Sequence, residues 1–599
     1  MRYLFIITLI VFQYSITFAQ SEYSTDSLSR SNGIVVTTSS NYHHPSWSQS
    51  ASGVKTIDKS GLEGKTDDAS RFLAQAAFGG SLQTIQQVAD EGFEPWLDEQ
   101  MEMEPSLLMP LIQPTYNDYI QYYIDNGGDP DDLPYRPWFD IFSFAWWQSN
   151  LTTNDILRHR IAFALSEILV ISANSELYDF GDGLADFYDI FNRNAFGNYK
   201  DILMEVTLHP AMGYYLSHLD NPKADPELNT HPDENYAREV MQLFSIGLYE
   251  LNPDGSRKTD ENGNFIPTYQ NSDIKEFAKV FTGLGIGAVV PNDYVDEPDF
   301  GYGIWLADMT VPMVMYQDYH ETSEKQLING FVIPAGQNGM TDIEQTINLL
   351  FNHDNVGPFI GRKLIQLLVK SNPSPEYIAA VTAAFNDNGS GVRGNMKAVI
   401  KAILLNPEAR ECSWMNDPAQ GKLIEPFVRY MHFTNGIGVN SPSGKYWNHG
   451  YYAYENLKQY PLTSPSVFNF FLPDFQPNGP IADAGLFAPE FQIHNSQTSI
   501  GYVNMADVWA IDEINSWGWE NQDLNVYTDF SALTEDAQDP EVLINKLDLL
   551  LTHGTLSEET RAIIKQAIQP YEGGMNQRMN RIHLAAYLIM ISPDYVILK

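Results

Sequence analysis

His231-Pro232-Asp233-Glu234-Asn235-Tyr236-Ala237-Arg238-Glu239-Val240-Met241-Gln242-Leu243-Phe244-Ser245-Ile246-Gly247 reads as one helix with a polar entry and a glycine stop. Asn235, Arg238, Glu239 and Gln242 recur at spacings of three, four and seven, which places them on one side. Tyr236, Val240, Leu243 and Gly247 keep the same spacing on another side, with Ala237, Met241, Phe244 and Leu248 beside them. A segment of this kind is held in a core by its apolar flank. It presents an amide, a guanidinium, a carboxylate and a second amide together.

The same period extends outward in both directions. Upstream, Asp68 to Phe78 is an amphipathic helix ended by Gly79-Gly80, Ser81 caps a second helix that stops at Gly92, and Phe93-Glu94-Pro95 opens a third. Asn154 to Ser172 reads as a long helix whose second half is apolar almost all round, so it belongs at the centre. Glu167 lies in that half, two turns from Arg160 on the same side. A carboxylate there must be paired, hydrogen-bonded or protonated.

Downstream, Asn252-Pro253-Asp254-Gly255 and Asn262-Gly263 mark tight turns of a small β-hairpin. Helical patterns follow at 272–283, 343–351, 356–369, 376–385, 395–405 and 422–434, a helical hairpin at 536–568 and a closing helix at 582–591. Residues 285–318 and 435–500 are rich in Gly, Pro and aromatics and read as irregular. The expectation is a mainly α, multi-helix globular domain over 68–599, with a small β-hairpin and long irregular aromatic and Pro-rich loops.

The bulk numbers agree with a globular chain: of 599 residues, 43% are hydrophobic and 13% aromatic. A net charge of −41 repels nucleic acid and anionic membrane surfaces. Residues 1–19 have one positive charge, a short apolar run and a Thr-Phe-Ala exit, the pattern of a secretory signal peptide. Removing them takes away only Arg2, leaving 34 basic against 76 acidic side chains, or −42. Residues 20–67 read as a flexible Ser/Thr-rich leader. No later segment is apolar and long enough to span a bilayer, so the mature chain is expected in the periplasm, at the cell surface or outside the cell. Cys412 is the only cysteine, which excludes an internal disulfide and cysteine-ligated metal clusters; it reads as a buried bystander.

Several segments together resemble the bacterial family Domain of Unknown Function 1800. They are Arg71-Phe72-Leu73 with Ala77-Phe78-Gly79, Leu157-Arg158-His159-Arg160-Ile161-Ala162-Phe163, Ala195-Phe196-Gly197-Asn198-Tyr199, Pro210-Ala211-Met212 and Asn235-Tyr236-Ala237-Arg238-Glu239. Tyr269 with Asp273 and Thr282-Gly283, the span His320 to Lys325, Lys363-Leu364 and Ser592-Pro593-Asp594-Tyr595 complete the set. The resemblance implies a predominantly helical, exported protein without an established activity. It also implies a partner, a sulfatase-like protein of the Domain of Unknown Function 1501 family. Some members carry histidines where this chain has Leu165-Ser166-Glu167, His-Thr where it has Phe244-Ser245, and Asp at Glu321. No metal site is therefore assigned here by resemblance.

No zinc-protease helix, nucleophile elbow, phosphate loop or dinucleotide fingerprint is present. The acidic turn Asp125 to Asp132 offers oxygens to calcium but lacks the EF-hand spacing, so no cofactor is identified. The catalytic candidates are Arg238, Glu239, Asp273 and His320; the binding candidates are Asn235, Gln242, Glu167 and Arg160. Arg suits bidentate recognition of a carboxylate, sulfate or phosphate, and Glu can serve as acid or base. The plainer reading is an internal network in which Arg238 is held by Glu234 or Asp273. Two functions follow: a helical scaffold working with a sulfatase-like envelope protein, or a hydrolase or lyase on a polysaccharide or other anionic polymer through an Arg/Glu-lined cleft. An exposed apolar patch favours the first and a deep cleft the second.

Overall fold

The helix α1 (Phe139–Thr152) shows how the centre is built: Phe142, Ala145, Trp146 and Trp147 are fully buried. Trp146 lies 5.5 Å from the Phe427 ring, and Phe427 lies 5.5 Å from Phe163. These rings join α1 to α2 (Ile156–Ser166) and to a later helix, Pro426–Ile437. The computed structural model describes residues 65–290, 295–411, 417, 419–447, 450–511 and 522–599. The expected signal peptide, almost all of the expected leader and Cys412 lie outside these residues. All described residues fall in one compact unit, Ser46–Lys599.

The architecture is mainly α. Helices follow one another through the described chain, and the strands form only two-residue antiparallel pairs. One of these pairs joins Lys422–Leu423 to Ile597–Leu598, tying the end of the chain beside the core. The two turns after Leu248 form a short arm through single bridges, Tyr249 to Pro267, Leu251 to Arg257 and Thr259 to Phe265. Among the described residues no helix is long and apolar enough to cross a membrane.

Two helices are shorter than their hydrophobic patterns. α2 stops at Ser166 rather than Ser172. The Ile168 amide closes a tighter turn on Leu165, and beyond it Ser172 donates to the Ser464 carbonyl at 2.6 Å while the Ala173 amide donates to the Leu462 carbonyl at 2.8 Å. An apolar run here serves a buried irregular segment, not more helix.

The helix of the opening stretch, α3 (Asn235–Gln242), also ends early. The amides of Ile246 and Gly247 both turn back to the Met241 carbonyl, and Gly247 has φ +71°. A Cβ on Gly247 would lie 2.8 Å from the Phe359 ring, so glycine is needed for the turn and for the approach of the next element.

That element is α4 (Val356–Leu368). Asn355, immediately before it and fully buried, donates to the carbonyls of Ile246 and Tyr249, both at 2.8 Å, and accepts from the Leu251 amide at 2.9 Å. One side chain therefore fixes the arm to the start of α4. Asn355→Ala strands three buried backbone groups and is expected to cost about 2–4 kcal/mol, read from the chemical-denaturation midpoint. A loss below about 0.5 kcal/mol would show that the arm is held elsewhere.

Candidate functional site

The arm, α4 and the segment 467–490 enclose a cleft of about 800 Å³. This is within the usual range for ligand sites. From α4 it receives Phe359, Arg362, Lys363, Gln366 and Leu367, spaced to share one face. The arm supplies Tyr249, Arg257 and Phe265; Phe468, Phe471 and Phe487 face them. Gln242 and Glu167 also line it, so two residues of the sequence-derived set meet at one site.

Three cations stand on rings in this wall. The Arg257 guanidinium lies 4.8 Å from the Tyr249 ring and 5.0 Å from Phe265. Arg362 lies 4.9 Å from Phe487, and the Lys363 Nζ lies 4.5 Å from Phe359. Stacking holds long side chains in place without neutralising them. Lys363 Nζ also donates to the Leu243 carbonyl at 2.8 Å. Burial pushes the Lys363 amine down to about 7, against the pull of the Glu239 carboxylate.

Beneath the cleft is a buried layer of charge. Arg160 donates to the Leu367 carbonyl at 2.6 Å, and Lys422 Nζ donates to the carbonyls of Gln366 and Leu367 at 2.9 and 2.8 Å. Two cations thus occupy the unpaired carbonyls at the C-terminal end of α4, where the helix dipole favours them. Lys422 pairs with Glu490 at 3.0 Å and lies 3.7 Å from Glu425, while Arg160 lies 4.0 Å from Glu425.

Gln459 Nε2 bridges Glu167 at 3.1 Å and Glu425 at 2.7 Å. Burial raises the Glu167 carboxyl well above its ordinary range, and the neighbouring Glu425 raises it further. Glu167 therefore keeps its proton and shares it towards Glu425. Burial also raises Glu490, opposed by Lys422.

The other candidates lie elsewhere or do different work. Arg238 pairs with Glu234 at 3.4 Å, both partly exposed, and Asn235 is exposed at the start of α3. Glu239 is buried beside Lys363, and burial raises its carboxyl. Asp273 accepts from the Gln270 amide in the capping box of the helix Asn271–Val280, so it does not hold Arg238. The acidic turn spends Asp129 on the Asp131 amide.

His320 is fully buried away from the cleft. Its Nε2 lies 3.1 Å from Asp342, its Nδ1 lies 2.9 Å from the Thr282 carbonyl, and Lys325 Nζ donates to the same Asp342 at 2.7 Å. Against burial, hydrogen bonds from His320, Lys325 and Gln337 hold the Asp342 carboxyl below its usual range. The segment His320 to Lys325 is therefore a clamp on Asp342. Among the described residues no group of three or more His, Cys, Asp and Glu side chains is placed to hold a metal ion.

Residues 71–597 match the family described as Protein of unknown function (DUF1800). The chain belongs to this family. No curated protein and no solved structure matches it. The segments that carry the resemblance divide physically: Arg160 and Lys363 build the cleft and its support, whereas His320 and Lys325 serve the clamp. Sequence reading missed Arg257, Arg362, Lys422, Glu425 and Glu490. The one available signal was Glu425, an acid set between Ile424 and Pro426 at the start of an apolar helix.

The retained proton on Glu167 has a measurable sign. The unfolded chain releases it near 4.5 and the native chain keeps it to higher pH. The native state then binds more protons across that window and loses stability as pH rises through it. Glu167→Gln keeps a neutral side chain of the same shape. Its melting temperature is expected to equal or exceed that of the wild type at pH 8 and to fall less between pH 5 and pH 8. A large, pH-independent loss would show an ionised carboxylate at this position.

Proposed function

We propose that this protein is an exported hydrolase or lyase that takes a segment of an anionic polymer, such as an acidic polysaccharide, into the cleft on α4. The observation that carries this reading is the grouping of Arg257, Arg362 and Lys363 on aromatic rings around one cavity. The chain has a net charge of −41, so a wall with two guanidinium ions and an amine runs against its overall field. Aromatic faces beside guanidinium groups suit sugar rings that carry carboxylate or sulfate. Export is supported by the signal-peptide pattern of residues 1–19.

A second reading, a scaffold for a sulfatase-like partner of the Domain of Unknown Function 1501 family, is favoured by a different observation. Leu248, Phe265, Phe468 and Leu472 are 48, 49, 44 and 37% exposed around the same cleft. A protein partner covering them would block the polymer.

The two readings separate in one binding experiment. Acidic polysaccharides are expected to bind with a salt-dependent affinity, and Arg257→Ala with Arg362→Ala to weaken it at least about tenfold, as for lost hydrogen bonds to a charged group. Equal affinity for neutral and acidic polymers would contradict the proposal. Stoichiometric recovery of a sulfatase-like protein from the envelope fraction, with no polymer binding, would favour the scaffold.

A further inference from the structure

We propose that the cleft breaks a uronate-type polymer by β-elimination, with Arg257 and Arg362 holding the sugar carboxylate and Lys363 moving the proton. This rests on the anionic-polymer reading and goes beyond it by naming the substrate class, the bond broken and the base.

Hydrolysis by two carboxyls needs both acids free to face the scissile bond. Glu490 Oε1 is committed to Lys422 at 3.0 Å, and Glu167 Oε1 to Gln459 at 3.1 Å. Both residues line the floor of the cleft, but the second oxygen of each, Oε2, is buried and without a hydrogen-bond partner, so neither carboxyl is presented to a bound chain. The floor acids are built into the support of α4. Lys363 is different: its side chain is only partly buried and lines the wall, and its one hydrogen bond is donated to the Leu243 carbonyl at 2.8 Å. The neutral amine keeps a lone pair beyond that bond.

Arg362 precedes Lys363 in the chain; the Asp474 carboxylate attracts it, and Arg257, lining the same cleft, repels it. Two guanidinium ions and one amine lining the same cleft match the demand of elimination next to a carboxylate. Loss of the proton α to that group puts a second negative charge on it, and only cations already in place stabilise that charge.

The step balances without a co-reactant. The Lys363 lone pair takes the proton from the carbon bearing the carboxylate. The C–H electron pair forms a carbon–carbon double bond, and the bond to the β oxygen breaks. The departing oxygen takes the proton back from the Lys363 ammonium. One chain becomes two, one of them ending in an unsaturated uronate, and the amine is regenerated.

The surroundings tune the amine. Glu239 faces it from α3, Arg362 adjoins it on α4, and Arg257, Asp474, Glu167 and Glu490 lie around the same cleft. Burial brings the Lys363 amine to about 7, so it is largely neutral above that pH and ready to act as a base.

The test uses the mature chain with polygalacturonate, alginate and hyaluronan, following the ultraviolet absorbance of the conjugated product together with new reducing ends. Both are expected to rise in step on at least one polymer, with a rate that increases through about pH 7. Lys363→Arg places a permanent cation where the native amine is largely neutral and cannot act as a base; it is expected to bind within about threefold of wild type and to lose at least about 100-fold in rate. Lys363→Met, with its melting temperature checked, is expected to lose the same activity. Reducing ends without absorbance, or binding without either product, would overturn the elimination while leaving the anionic-polymer reading intact. Failure of every acidic polymer to bind would overturn both.

Discussion

The carbonyls that end α4 are unpaired within the helix, and Arg160 and Lys422 are the groups that satisfy them. Much else in the centre follows from this contact. Two buried cations require counter-charges, and Glu425 and Glu490 supply them. A third carboxyl beside them, Glu167, then does best neutral. Removing one member would leave an uncompensated charge in a dry interior, a cost of about 3–5 kcal/mol. The layer holds α4 at a fixed height, and the cleft is the face of α4 above it.

The periodic elements were largely legible in the sequence. Val356–Leu368 and the helix Pro375–Asn386 fall within a residue or two of their apolar patterns, because one-sided burial writes itself as a period. Where burial surrounds the chain, the period disappears. α1 was missed for this reason: Phe-Asp-Ile-Phe-Ser-Phe-Ala-Trp-Trp has apolar groups all round and no contrasting face. Past Ser166 the same ambiguity runs the other way, and the apolar stretch predicts more helix than forms. Burial constrains composition there without dictating backbone.

The site was less legible, for a reason of geometry. The reading centred on α3 as a surface of four polar groups, but its side chains divide between solvent, an ion pair and the edge of the cleft. Only Gln242 of the four lines the cavity, while Glu239 sits behind Lys363. The cations that define the wall come from the arm and from α4, about 100 residues apart in the chain, and spacing cannot join such positions. The helical spacing puts Arg160 and Glu167 on one buried side, and both are buried, but Arg160 turns to Glu425 and Glu167 to Gln459. Their partners, Lys422, Glu425, Gln459 and Glu490, lie more than 250 residues downstream.

On the proposed reading the cleft takes anionic chains: the charge layer under α4 is its support, and Arg257, Arg362 and Lys363 are its working wall. The most direct measurement is a crystal structure of the Lys363→Arg protein with an acidic oligosaccharide. The account predicts sugar in the cleft, one carboxylate between Arg257 and Arg362, and the adjacent C–H directed at position 363. Sugar bound on another face, with the cleft empty or closed by the arm, would contradict it.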